Sequence, residues 1–279
     1  MAYKCFDVDL CEKVAHIRLK RPEAFNSIVP EFWTELPEIV HGFDAGGEAR
    51  AIVISSTGKH FTAGMDLAVF GSDANGPEDR GERGRTRAEL RRRILHLQDS
   101  FTCLDKARVP VLAAVQGGCI GGGVDLISAC DMRYCSEDAF FCIQEINIGM
   151  TADVGTFPRL PHILPQGLVR ELAYTGRRLY AQEARDSGLV NCVYESHEAL
   201  IDGVVAKAAE IAARSPLAVW GSKEMLNYAR DHTIADGLDY IATWQTGMFT
   251  PDDMVESFKA KKEGRDANYA DLLPDRNKL

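Results

Sequence analysis

The chain predicts an α/β core followed by a helical C-terminal region. Short apolar runs such as AIVIS (51–55) and PVLAAVQ (110–116) read as buried strands. They alternate with longer stretches of helical period, the pattern of strand–helix units. From residue 197 the helical pattern is almost unbroken, so the sequence divides into a core at 1–196 and a helical region at 197–279.

Each element has its own signal. Residues 12–19 (EKVAHIRL) alternate, with Ala15, Ile17 and Leu19 on one face, and predict a strand. RPEAFNS (21–27) is a turn. Pro30 opens an amphipathic helix that carries Phe32, Leu36, Ile39, Val40 and Phe43 at helical spacing. AIVIS leads into the loop STGKHFTAGMDL. Residues 71–87, rich in Gly, Asp, Glu and Arg, predict a mobile surface loop, with a helix after it to about Leu104. PVLAAVQ runs into a glycine cluster at 117–123, which opens a helix through Ala129. DMRYC and AFFCI are strands; the chain turns helical after Asp153 and extended again at LVNCVY (189–194). Beyond 197, Leu200, Ile201, Val204, Val205, Ala208 and Ile211 form one stripe, and Ser215-Pro216 is an N-cap and first-turn pair.

Composition excludes several functions. A chain of 279 residues can bury about 75% of its unfolded surface, enough for a substantial core. A net charge of −9 argues against general nucleic-acid or anionic-membrane binding. No apolar run reaches the ~18 residues of a membrane span. The eight cysteines form no CxxC pair and have no zinc-like spacing from histidine, so they read as reduced core thiols. The histidines show no HExxH motif and there is no GxSxG elbow, which argues against a metalloprotease or a serine hydrolase; only His60 lies in a suspected site loop. The arginines between Arg80 and Arg93 lack interleaved aromatics and read as a solvated face or subunit contact.

The chemistry is carried by three acids in apolar, glycine-punctuated surroundings. Asp125 lies in GGCIGGGVDLISACD; Glu145 and Asp153 lie in FFCIQEINIGMTADVGTFPRL. Few other charges flank them, so all three are expected to be buried, and a buried carboxylate tends to hold its proton and serve proton transfer. Asp153 also precedes a helical pattern, where Asp commonly serves as an N-cap. The glycine cluster reads either as a tight turn or as an anion site made of backbone N–H groups, since it follows a strand and opens a helix. GxGxxG and the phosphate-loop motif are both absent. GKHFTAGMDL likewise follows a buried strand. Two such loops can aim two N–H groups at one oxygen, as stabilising an enolate requires; each such donor contributes about 3–4 kcal/mol.

Together the RPEAFNS turn, KHFTAGMDL, AAVQGGCIGGGVDL, ACDMRYC, AFFCIQEINIG and the helical tail resemble the crotonase (enoyl-CoA hydratase/isomerase) family over roughly residues 8–265. The resemblance implies a spiral core of repeated ββα units and a C-terminal region that joins trimers, or dimers of trimers, and covers the pocket. It implies an acyl-CoA thioester substrate of fatty-acid β-oxidation, with CoA arriving as part of the substrate and no separate cofactor or metal. By position it assigns the oxyanion-hole N–H groups to Met65 and Gly122, and the substrate loop to Ala63, Gly64, Met65, Asp66 and Leu67 together with Gly122. The set Asp125, Glu145 and Asp153, with TADVGTFPRLP, resembles the Δ3,5-Δ2,4-dienoyl-CoA isomerases, whereas the hydratases resemble a pattern with Gly at 153. Two acids would then move a proton from C2 to C6, with Asp125 orienting or polarising. Hydration, or another isomerisation of the family, is the alternative, and a non-catalytic protein of this fold is a second one. The N-terminus has no apolar signal core and is not an Arg-rich transit peptide; the chain ends Asn-Lys-Leu, which matches the peroxisomal signal only in its last two residues. The sequence therefore predicts a cytoplasmic enzyme, with a peroxisomal one as the alternative.

Overall fold

The computed structural model describes residues 2–66, 68 and 83–275. Its main sheet has six strands in the order β1 (Phe6–Cys11), β2 (Val14–Leu19), β3 (Ala51–Ser56), β4 (Val111–Val115), β6 (Met132–Ser136) and β9 (Cys192–Tyr194). β1 and β2 form an antiparallel hairpin, and every later neighbour pairs in parallel. A second sheet of three short strands, β5 (Gly118–Ile120), β7 (Phe140–Cys142) and β8 (Leu179–Tyr180), stands beside it.

The period of two along a strand explains the layers. Ile52 and Ile54 of β3 and Val111, Ala113 and Val115 of β4 join the larger apolar core; Ala51, Val53, Leu112 and Ala114 join a second one on the other face. Both faces are covered, so these strands are apolar without alternation, as parallel strands are. The larger core receives helices α1 (Phe32–Gly46) and α2 (Arg83–Lys106), where Phe32, Trp33 and Phe101 pack ring against ring. The opposite face is covered by α7 (His197–Ala212) through Leu200, Val204, Ala208 and Ala212, four members of the apolar side of that helix.

Between α2 and α7 in the chain come α3 (Gly122–Ser128), α4 (Thr156–Arg159), α5 (Gln166–Thr175) and α6 (Ala181–Ser187). After α7 come α8 (Pro216–Tyr228), α9 (Ile234–Met248) and α10 (Pro251–Glu263). Ser215 caps α8 by accepting the Ala218 N–H, as its sequence position predicts. No described helix is long and apolar enough to cross a membrane.

Two local expectations change. β1 is a strand that the alternation over 12–19 did not include; Glu12 and Lys13 instead form the hairpin turn, both at positive φ. Of the surface loop expected at 71–87, residues 83–87 are the start of α2, continuous with the run of good helix formers from Arg87 to Arg93 despite Gly84 and Thr86. Residues 71–82, including Arg80, lie outside the described residues.

Candidate active site

Two loops are woven together at the ends of β3 and β4. The Thr62 N–H donates to the Gly118 carbonyl at 3.1 Å, and the Ile120 N–H donates back to the Thr62 carbonyl at 3.1 Å. Ile28 and Asp66 bracket the first loop: the Ile28 N–H donates to Gly64 at 2.8 Å and the Asp66 N–H to the Ile28 carbonyl at 3.0 Å. Ala63 donates to the Phe25 carbonyl, and the Gly64 N–H to the Thr62 hydroxyl. Gly121 donates to the Cys142 carbonyl at 2.9 Å.

Among the described residues, the Met65 and Gly122 N–H groups donate to no protein acceptor. They stand on loops in direct contact. Gly64, at φ +83°, lies so close to the second loop that a Cβ there would meet the Ile120 carbonyl oxygen at 2.8 Å. Gly121, at φ +53° and ψ −118°, turns the chain into α3 in a conformation that only glycine takes readily. Asp66 is held in place by the Ser27 hydroxyl and the Ala68 N–H, which keep its carboxyl below the usual range. Leu67, the remaining substrate-loop position, lies outside the described residues.

The three acids occupy different environments. Asp125, on α3, is fully buried; its Oδ1 accepts the Thr156 N–H at 2.6 Å and the Thr156 hydroxyl at 2.8 Å, while Oδ2 has no partner among the described residues. Burial pushes its carboxyl up to about 6, against the pull of the two Thr156 bonds. Glu145 opens a 3-10 turn (Glu145–Ile148) and is partly buried, with Oε2 also unpartnered among the described residues. A methyl group on Gly121 would stand 3.1 Å from Glu145 Oε1, so this carboxyl lies against the loop that presents Gly122. Burial, then the charges of Asp125 and Asp153, push Glu145 up to about 7.

Asp153 departs from its expected environment. It is exposed in the chain, although partial burial still raises its carboxyl above the ordinary range. The run of apolar residues around it does not cover it, because Ile146, Ile148 and Met150 are themselves exposed. Nor is Asp153 an N-cap: α4 starts at Thr156 with Gly155 as its cap residue and no side-chain cap, and Asp125 fills that role from α3.

Several supporting residues carried no sequence signal. Gln98 of α2 donates to the Asp153 carbonyl at 2.6 Å. Arg159 reaches Asp105 at 2.7 Å and Thr102 at 3.1 Å, so one face of α2 clamps the segment that bears Asp153. An isolated Gln or Thr on a helix is indistinguishable from a solvent-facing one. Asn26 was more legible: a polar residue inside the RPEAFNS turn, it is buried and bonds the Thr57 and His60 carbonyls and the Arg21 N–H. A cavity of about 720 Å³ lies elsewhere, between β6 and helices α7 and α8, and none of the three acids lines it.

The arrangement suits an enolisation site: two N–H groups unpaired among the described residues at a glycine junction, with carboxyls near neutrality beside it. Residues 10–272 match the family model described as enoyl-CoA hydratase/isomerase. The Δ(3,5)-Δ(2,4)-dienoyl-CoA isomerase of Mus musculus mitochondria is 44% identical over 95% of this chain and 81% of its own length. The peroxisomal isomerase of Arabidopsis thaliana is 42% identical over 93% of each. Among solved structures, an enoyl-CoA hydratase from Bacillus anthracis superposes with a TM-score of 0.85 at 29% identity, over 95% of this chain and 99% of that one. The expected cytoplasmic location is overturned by these relatives, which are mitochondrial or peroxisomal. That expectation rested on terminal residues, and a targeting address is read by a receptor independently of the folded core.

Proposed function

The chain belongs to the enoyl-CoA hydratase/isomerase family, and on that premise we propose that it converts 3,5-dienoyl-CoA thioesters into their 2,4-dienoyl isomers. The observation that carries this reading is the third acid, Asp153, in the same electrostatic neighbourhood as Asp125 and Glu145. Its relatives that bear the isomerase name cover nearly the whole chain.

The thioester carbonyl accepts hydrogen bonds from Met65 and Gly122. The ionised Asp153 removes a proton from C2, and the electron pair delocalises through both double bonds onto the carbonyl oxygen. The resulting extended enolate is protonated at C6 by Glu145, and the double bonds settle at C2 and C4. The split between the acids favours this assignment, because Glu145, held near 7, keeps a proton to give while Asp153 is the more solvated base. Asp125 stays behind them: it orients α4 through Thr156 and raises Glu145 by its charge. CoA enters as part of the substrate, with Ala63, Gly64 and Asp66 shaping its loop.

Helices α9 and α10 and the link between them leave Ile234, Leu238, Phe249, Val255 and Phe258 exposed in the single chain, an apolar area that fits burial between copies in a trimer or a dimer of trimers. In this reading 197–279 is the oligomerising and pocket-covering region.

Incubation of the protein with a 3,5-dienoyl-CoA should produce the 2,4-dienoyl chromophore. A parallel incubation with a trans-2-enoyl-CoA tests hydration. Formation of the 3-hydroxy product without any 2,4-dienoyl product would replace isomerase by hydratase, with Glu145 and Asp125 activating water.

A further inference from the structure

Of the seven histidines, only His60 sits where the two glycine loops meet. Its Nδ1 accepts the Gly118 N–H at 2.9 Å. Its carbonyl accepts the Asn26 amide at 2.9 Å and the Ser56 hydroxyl at 3.2 Å. The ring is partly buried between Phe25, at 5.7 Å, and Phe140, at 6.3 Å, and a Cβ on Gly117 would stand 2.9 Å from its Nδ1. One side chain therefore ties together the 21–27 turn, the loop that leads to Met65 and the strand that leads to Gly122.

We propose that His60 is a positioning residue for the oxyanion site: its neutral imidazole, with the proton on Nε2, locks the two N–H-bearing loops in register through the Gly118 bond. The inference rests on the oxyanion reading of Met65 and Gly122 given above. The tautomer follows from the geometry, since a backbone N–H can only donate and Nδ1 must accept. A proton on Nδ1 would set donor against donor and release Gly118. The surroundings keep the ring neutral. Burial and the charges of Lys59 and Arg178 lower its pKa, and Asp138 alone acts the other way. Arg178 is itself held over the Phe140 ring, 4.2 Å from its centre.

The lock should show in the bound thioester itself. The probe is hexanoyl-CoA labelled with 13C at the thioester carbonyl, read by isotope-edited infrared difference spectroscopy with saturating protein. On wild-type protein the carbonyl band should move to lower frequency than in free hexanoyl-CoA. His60→Gln, whose acceptor sits at the Nε2 position, should lose most of that shift and lower kcat on the order of 10- to 100-fold with little change in KM. His60→Asn, whose Oδ1 falls near the Nδ1 position, should restore most of it. A His60→Gln protein with the wild-type band and kcat overturns the positioning role alone. A wild-type band identical to that of free thioester overturns the oxyanion reading and this inference with it. Should both variants fail to fold, 15N spectra of histidine-labelled wild-type protein decide: a proton on His60 Nδ1 at neutral pH overturns the proposal.

Discussion

At the junction of the two glycine loops, the backbone is cross-laced. Thr62, Ile120, Ile28, Asp66, Ala63 and Gly121 all donate across from one segment to another, which leaves the Met65 and Gly122 N–H groups unpaired among the described residues. In the 145–153 segment the pattern is reversed. Among the described residues, Glu145 Oε2 has no partner and the Asp153 main chain accepts from Gln98 of α2. The contrast separates two tasks. A group that stabilises developing charge gains from being fixed in advance. A group that must gain and lose a proton gains from having few partners that favour one state, so that its pKa drifts toward neutrality.

Asp153→Asn should divide the two tasks most sharply. Loss of the base should lower dienoyl turnover by about 10²- to 10⁴-fold while acyl-CoA binding persists; steady-state kinetics showing near-wild-type kcat would remove Asp153 from the mechanism. Gly64→Ala attacks the fixed platform instead. The new methyl group meets the Ile120 oxygen at positive φ, so Met65 must shift, and kcat should fall by about 10²- to 10³-fold. Unlike Asp153→Asn, this variant should also lose the shift in the bound thioester carbonyl, and retention of that shift would mean the platform tolerates displacement.

Glu145 gives a stability readout. Its folded carboxyl is raised to about 7, so its contribution to stability is present below the ordinary carboxylate range and is lost as pH rises through about 7. Glu145→Gln should therefore melt higher than wild type above that pH, by about 1–2 kcal/mol after allowing for partial exposure, and lose this advantage in acid. Melting curves that run parallel across the pH range would show that Glu145 is not held near neutrality. The smallest effect is expected from Gln98→Leu, which removes one bond to the Asp153 main chain; kcat should fall about two- to tenfold, the worth of a single hydrogen bond. No change would mean Arg159 alone holds the segment.

The sequence was a good guide to the core strands and a poor one to the acids' surroundings. AIVIS and PVLAAVQ are buried on both faces, and their unbroken apolarity says so. The 145–153 segment also carries apolar residues, yet Ile146, Ile148 and Met150 are exposed in the chain along with Asp153. Composition reports what a segment would bury given a partner, and only the fold says whether the same chain supplies one.

By itself, then, the sequence determined the alternation of strands and helices, the two glycine loops and the identities of the three acids, because these follow from periodicity and from residue types with narrow backbone or chemical roles. Only the tertiary structure decided that Thr156 holds Asp125, that Glu145 lies against Gly121, that Gln98 reaches Asp153 and that His60 bridges the loops. These contacts join residues about 25 to 60 positions apart. Local pattern carries no record of such pairings; they arise when the sheet brings distant loop ends to one edge.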